Sequence, residues 1–302
     1  LERVTFRNNI VEAVGGQGAR EIVFTTFIVY DGGSGSAYGA GIYNVDSSPT
    51  MQEVEFISNQ SRAFGGRGGA FNDGVGAGGG HGYAYGGGMA NRGDTQPLVQ
   101  NVRFTDNLAY GEGADGEANY TTDQRAGRGG DGEAYGGALA NVDGGKPNLD
   151  NVRFVDNRAL ALGGASEAEM RDTMGGGSDP NIRYSGYGKS HGGAIYHAGD
   201  SGSWVNLTFT HNQSEANGGD AKISEYVGYK GGAAHATGGA LYLADGTLFV
   251  TNAVFHENEL QARGGTGGTA RKPISGNYIF PGSGGDASGQ GGAIYAEEGQ
   301  LV

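Results

Sequence analysis

The stretch GGALYLADGTLFVTNAVFHEN, residues 238–258, decides the fold. It opens on a GG pair and three apolar positions, turns at Asp245-Gly246, and alternates up to Phe255, with Asn258 three residues on. Alternation of period two over so short a length is the mark of a strand, not a helix. Both halves of the stretch recur along the chain. The second half returns as VTFRNN, VEFISN, VRFTDN, VRFVDN, LTFTHN and AVFHEN. Its aromatic falls at Phe6, Phe56, Phe104, Phe154, Phe209 and Phe255, spaced 46 to 55 residues apart. Its amide falls at Asn9, Asn59, Asn107, Asn157, Asn212 and Asn258. The first half returns as GAGIYN, GGGMAN, GGALAN, GGAIYH, GGALYL and GGAIYA, with apolar positions Ile42, Met89, Leu139, Ile195, Leu241 and Ile294.

One such repeat carries too little apolar material to close a core alone. Stacking cures this, because each repeat covers its neighbour's apolar side chains and pairs its backbone. The pattern therefore predicts an all-β chain: a right-handed parallel β-helix, or β-solenoid, of six repeats of about 50 residues. It forms a single domain over residues 1–302, and its strands lie about 4.8 Å apart. Aligned residues form ladders: a Phe stack inside, an aliphatic stack beside it, and an Asn stack at the turn whose amides bond to one another. Between repeats run Gly-rich excursions of variable length. Whether an excursion adds a second coil to each repeat stays open at this level. The run EIVFTTFIVY (21–30) reads as a strand that needs cover.

Composition narrows the function. Of 302 residues 64 are Gly, and they come as GG pairs without the three-residue period of collagen. A net charge of −13 disfavours nucleic acid and anionic membranes. No apolar run approaches the roughly 20 residues of a membrane-spanning helix. The chain has no Cys, hence neither disulfides nor thiol chemistry.

GGAIY followed about fifteen positions on by F-x-x-N resembles the repeats of the polymorphic membrane proteins of Chlamydia, and of other large bacterial surface proteins of the parallel β-helix class. The likeness spans all six repeats but not the excursions. It implies an extracellular passenger-type β-helix with an adhesive or structural role. The chain departs from that family in having no Cys and no C-terminal membrane barrel.

Several columns invite chemistry. A carboxylate follows each GGA strand: Asp46, Asp94, Asp143, Asp200, Asp245 and Glu298. Each could cap its own turn; in a register-true stack the six would instead line up as a Ca²⁺ ladder. A second column, two residues after each Phe, reads Asn8, Ser58, Asp106, Asp156, His211 and Glu257. Asp106 and Asp156 imitate a glycosidase carboxylate pair, but the column is chemically inconsistent. Asn119 and Asn206 head N-x-S/T sequons in exposed positions, whereas the sequon residues Asn59 and Asn212 belong to the buried ladder.

The ends read as two halves of one repeat. Joining Ile294, Leu301 and Val302 to Leu1 and Phe6 gives GGAIYAEEGQLV+LERVTFRNN, which aligns with residues 238–258 without a gap. The solenoid is then uncapped at both ends, and its partner is itself, head to tail, or the continuation of the same long chain. The expected function is a non-enzymatic extracellular fibre or filament at a prokaryotic cell surface. The alternative is an adhesin whose aromatic excursions meet glycan or protein; a β-helical polysaccharide lyase or hydrolase ranks third. No cofactor is implied other than Ca²⁺.

Overall fold

The computed structural model describes all residues except 24–25, 70–76, 118–126, 167–184, 200–201, 223–228 and 270–280. The described residues form no helix, and none is therefore long and apolar enough to cross a membrane. They build a parallel β-helix with four sheets running along its axis. Sheet 1 stacks Gly35–Tyr38, Gly82–Tyr85, Gly132–Tyr135, Gly188–His191, Ala234–Thr237 and Ala287–Gln290. Sheet 2 stacks Ile42–Val45, Met89–Arg92, Leu139–Val142, Ile195–Ala198, Leu241–Asp245 and Ile294–Ala296. Sheet 3 holds the Phe strands, from Thr5–Arg7 through Asn148–Val155 to Thr247–His256, and the two-residue Gln300–Leu301. Sheet 4 stacks Ile10–Val14, Gln60–Phe64, Leu108–Glu112, Arg158–Leu162, Gln213–Asn217 and Glu259–Arg263.

Every strand of these four sheets pairs in parallel with its counterpart one repeat away, Phe6 on Phe56, Phe56 on Phe104 and Phe104 on Phe154. One repeat is therefore one coil. Zero offset puts each side chain on its own equivalent. The Phe rings stack with centroids 4.6 to 5.1 Å apart and planes within 10°. Beside them lie Met89, Leu139, Ile195 and Leu241 from sheet 2, and Met51, Val99, Leu149 and Trp204 from sheet 3, all fully buried. Sheets 1 and 4 face each other through small residues, among them Ala63, Ala84, Ala109 and Ala134.

Three turns of the coil use left-handed backbone in all six repeats. The first Gly of the GGA block supplies one corner at Gly39, Gly86, Gly136, Gly192, Gly238 and Gly291. A second runs Arg3, Glu53, Asn101, Asn151, Asn206 and Asn252, all with φ between 52° and 57°. The third is the mixed column Asn8, Ser58, Asp106, Asp156, His211 and Glu257. What these residues share is a backbone conformation, which accounts for their unlike side chains. Asn tolerates that region better than Glu does. Glu53→Asn, next to Asn101, should raise the unfolding free energy by about 0.5–1 kcal/mol; a fall in the denaturant midpoint would contradict the assignment.

Among the described residues the excursions add no second coil. Their described legs are extended segments, outgoing (15–19, 65–69, 113–117, and onward) and returning (30–35, 77–82, 127–132, and onward). Hydrogen bonds recur every third residue: Gly15 and Gly18 donate to Phe64 and Arg67 of the next outgoing leg, while Gly33 and Tyr30 donate across to Gly16 and Ala19. None of these leg glycines has positive φ. That is the threefold habit of a left-handed extended helix without internal bonds. Outgoing and returning legs then alternate in one relay, Gly33 to Gly16, Gly66 to Gly33, Gly80 to Gly66, and so on to Gly285. EIVFTTFIVY, expected as one strand, forms an antiparallel pair instead, Arg20–Val23 with Thr26–Val29.

At most leg positions no side chain fits between the legs, although Ala114 takes one place in the relay. A Cβ on Gly15 would stand 1.8 Å from Gly33 O, and one on Gly130 would stand 1.9 Å from Gly80 O. Gly130→Ala should therefore cost about 3 kcal/mol or split the legs. Gly16→Ala, whose Cβ meets nothing within 4 Å, should leave the chain's denaturation curve unchanged.

Candidate functional site

The Asn ladder is the one buried polar column that is complete. The backbone N–H and Nδ2 of Asn59 donate to Asn107 Oδ1 at 3.1 and 3.0 Å, and its Nδ2 also donates to Phe6 O at 2.9 Å. Asn107, Asn157 and Asn212 repeat the pattern, each amide pointing the same way along the axis. A second ladder, Asn44, Asn91 and Asn141, runs with the same polarity and ends on His197. Removing one rung strands its neighbours. Asn157→Ala would remove the acceptor of the Asn107 N–H and one of the two acceptors of Asn107 Nδ2, and would take the carboxamide donor away from Phe104 O and Asn212 Oδ1. The expected loss is about 3 kcal/mol or more, measured by chemical denaturation; a loss below 1 kcal/mol would mean that water replaces the rung.

The carboxylates after the GGA strands do not share a rung. Asp46 and Asp143 both turn the chain with positive φ, but Gly93 does so in the coil between them, so Asp94 lies one residue later. Asp46 Oδ1 accepts from Asp94 N at 3.1 Å, and Asp143 pairs with Arg92 at 2.8 Å. Asp245 sits at a register shift opposite Ala198, the amide of Glu298 donates to Ala244 O, and Asp200 is outside the described residues. Among the described residues no three carboxylates or imidazoles converge on a point where an ion could sit.

Asp106 and Asp156 line a shallow groove of about 320 Å³ with His211, Gln60, Arg158 and Gln213. Ser58 Oγ donates to Asp106, and His211 lies 3.6 Å from Asp156 and 2.5 Å from Glu257. The His211 hydrogen bond holds the exposed Glu257 carboxyl below its usual range. These groups are solvated and satisfied by one another. Asn206 is exposed, bonded to Asp150 and Asn252. Asn59 and Asn212 are fully buried. Asn119 lies outside the described residues.

The two end faces stand out against these satisfied columns. Each presents sheet edges that no strand of the chain covers. Phe6 and Ile294 are partly buried where their inner counterparts are fully buried, and Leu1, Leu301 and Val302 are 43 to 64% exposed. Both ends nonetheless hold the register. Leu1 donates its terminal amine to Thr50 O at 2.7 Å, Leu301 pairs with Leu248, and Val302 exchanges bonds with Leu248 and Val250.

A column of tyrosines escaped the sequence reading, which looked for aromatics in the excursions. The residue just before each GG corner is Tyr38, Tyr85, Tyr135, His191, Thr237 and Gln290. The neighbouring column in sheet 2 is Tyr43, Ala90, Ala140, Tyr196, Tyr242 and Tyr295. The signal was there as A-Y-G in GSAYGAG, GYAYGGG and GEAYGGA. Tyr135 donates to Glu133, whose other oxygen takes the Lys189 ammonium at 2.8 Å. Burial raises the Glu133 carboxyl, but Lys189 and Tyr135 outweigh it and hold it below the usual range. Compared with known proteins, the chain matches no family model, no curated protein and no solved structure.

Proposed function

We propose that the chain is an axial segment of a longer β-helical fibre, continued at each end face by a second copy or by more of the same chain. The observation that carries this reading is the polarity of the Asn ladder across the two faces. Asn258 bonds back to Phe209 O but has no following carboxamide to receive its N–H and Nδ2. Asn9 donates to Asn59, and among the described residues none donates to its own Oδ1. The carboxamide donor of Asn258 in one copy thus matches the carboxamide oxygen of Asn9 in the next, head to tail. A row of backbone amides donates in the opposite sense, from each coil to the one before it. Gln60, Leu108, Arg158, Gln213 and Glu259 each donate to the ladder Asn one coil earlier, and the next amide in that series is Ile10. The apolar ladders would close at the same step, Phe255 on Phe6 and Ile294 on Ile42. The likeness to bacterial surface repeats supports a place outside the cell.

A second reading rests on the glycine legs. Stacked in register, they start and end all six excursions along one edge, which suits an adhesin that meets glycan or protein there. The two readings are compatible, since a fibre can display an edge.

Electron microscopy of native material tests the fibre. Six coils at about 4.8 Å predict an axial repeat near 29 Å; discrete particles at every concentration would overturn the reading. Ile10→Pro removes only an N–H that has no partner in the chain. It should leave the far-ultraviolet spectrum and melting curve intact while abolishing filaments. Filaments that persist with Ile10→Pro would refute this seam.

A further inference from the structure

The tyrosines hand over from one column to the other. Sheet 1 carries Tyr in its first three coils and then His191, Thr237 and Gln290; sheet 2 carries Ala90 and Ala140 and then Tyr196, Tyr242 and Tyr295. Where one column loses the phenol, the other supplies it. The rings touch throughout. Tyr38 and Tyr85 stack at 4.6 Å and 3°, Tyr85 and Tyr135 at 4.7 Å and 4°. Tyr135 meets Tyr196 edge-on at 4.9 Å, and Tyr196, Tyr242 and Tyr295 continue at 5.4 and 5.6 Å.

We infer that this column is a relay for single-electron holes, carrying an oxidising equivalent along the whole stack from Tyr38 to Tyr295. Hopping between like residues in contact is near isoenergetic, and no step needs a foreign group. His191 also stacks on Tyr135, at 5.2 Å, but its imidazole is harder to oxidise than a phenol, and the direct Tyr135–Tyr196 contact passes it by. Burial pushes His191 down to about 4, so it adds no positive charge beside the route at neutral pH.

The protons have somewhere to go. Burial holds the phenols of Tyr85, Tyr135 and Tyr242 well above their ordinary value, and Tyr196 is pushed up to about 12. Each is therefore a neutral phenol that can lose an electron only with its proton. Tyr135 is hydrogen-bonded to Glu133 and Tyr242 to Glu297, and these carboxylates receive the proton when the ring is oxidised and return it when the ring is reduced. Tyr38, Tyr85, Tyr196 and Tyr295 keep partly exposed edges and exchange with water. The balance at the entry is one electron from Tyr38 to an outer-sphere one-electron oxidant, which is reduced, plus one proton released. Each hop then moves one electron toward the oxidised end, leaving a neutral tyrosyl radical one ring further on. Only the step from Tyr295 to Tyr43 of a following copy, and so back to Tyr38 at 5.0 Å, rests on the stacking proposed above.

A packing role would also explain one ring per coil, so the test must spare packing. The chain lacks Cys, which makes Ser36→Cys, exposed beside Tyr38, a unique site for a ruthenium(II) polypyridyl photo-oxidant. The label is flashed with a sacrificial electron acceptor and a nitroso spin trap, in the Ile10→Pro background at a concentration where sedimentation shows single chains. Trap adducts are mapped by peptide mass spectrometry. Adducts are expected at Tyr295 as well as at Tyr38. Tyr135→Phe should reduce those at Tyr295 to background, spare those at Tyr38, and leave the melting curve in place. Tyr196→Phe should do the same without touching Glu133. Tyr295 adducts that survive both substitutions, or that never form in the parent chain, would overturn the relay.

Discussion

Parallel pairing at zero offset governs everything else in this molecule. A strand that lies on its own counterpart one repeat away forces every side chain onto a copy of itself or a close substitute, at the strand spacing of about 4.8 Å. Few chemistries tolerate that. Phenyl rings do, because offset stacking suits their quadrupoles, and the core Phe planes lie within 10°. Aliphatic chains do, since contact is all they require. Carboxamides do, because an Asn is donor and acceptor at once. Carboxylates do so only where water reaches them, as at the exposed Asp106 and Asp156. Asp46, Asp94 and Asp143 avoid a shared rung: Asp94 slips one residue along its turn and Asp143 takes Arg92 as a partner. The slip relieves like-charge repulsion that no bound ion is needed to offset.

This rule also explains how much of the structure the sequence discloses. The Phe, aliphatic and Asn ladders are each confined to one column, so their period shows in the linear chain, and Phe154, Leu139 and Asn157 fall where the repeat places them. The mixed column at Asp106, Asp156 and His211 looks chemical only because its common property, left-handed backbone, has no single side-chain signature. The tyrosine path is harder still, for it changes column between Tyr135 and Tyr196, and neither column alone is periodic in Tyr.

The glycine legs were the least legible part, for a different reason. Their bonds join outgoing legs to returning legs of the same coil and of the next, so partners such as Gly33 and Gly66 lie at alternating separations. Nothing in a 50-residue period marks that alternation. Composition carries the only trace. Positions 15, 65, 113, 163, 218 and 264 are all Gly, because a Cβ at any of them would fall 1.8 to 2.1 Å from a carbonyl oxygen across the layer. Glycine is otherwise a poor choice for ordered backbone, since it loses more conformational entropy than any other residue. Here that loss is offset by backbone bonds to neighbouring legs, which a Cβ at these six positions would obstruct.

Polarity completes the logic. A solenoid of parallel strands has a beginning and an end that differ, and the Asn ladder adds a chemical sense to that direction, from free carbonyl at Asn9 to free amide at Asn258. Each end face mixes both kinds of group: the carboxamide oxygen of Asn9 lies beside the Ile10 N–H at one end, and the carboxamide of Asn258 lies beside its backbone carbonyl at the other. The head-to-tail contact proposed above would not close on itself along a straight axis and would propagate. Under that geometry any property of one coil corner becomes a property of the whole axis: a ring in van der Waals contact with the next ring need only recur once per coil to be continuous.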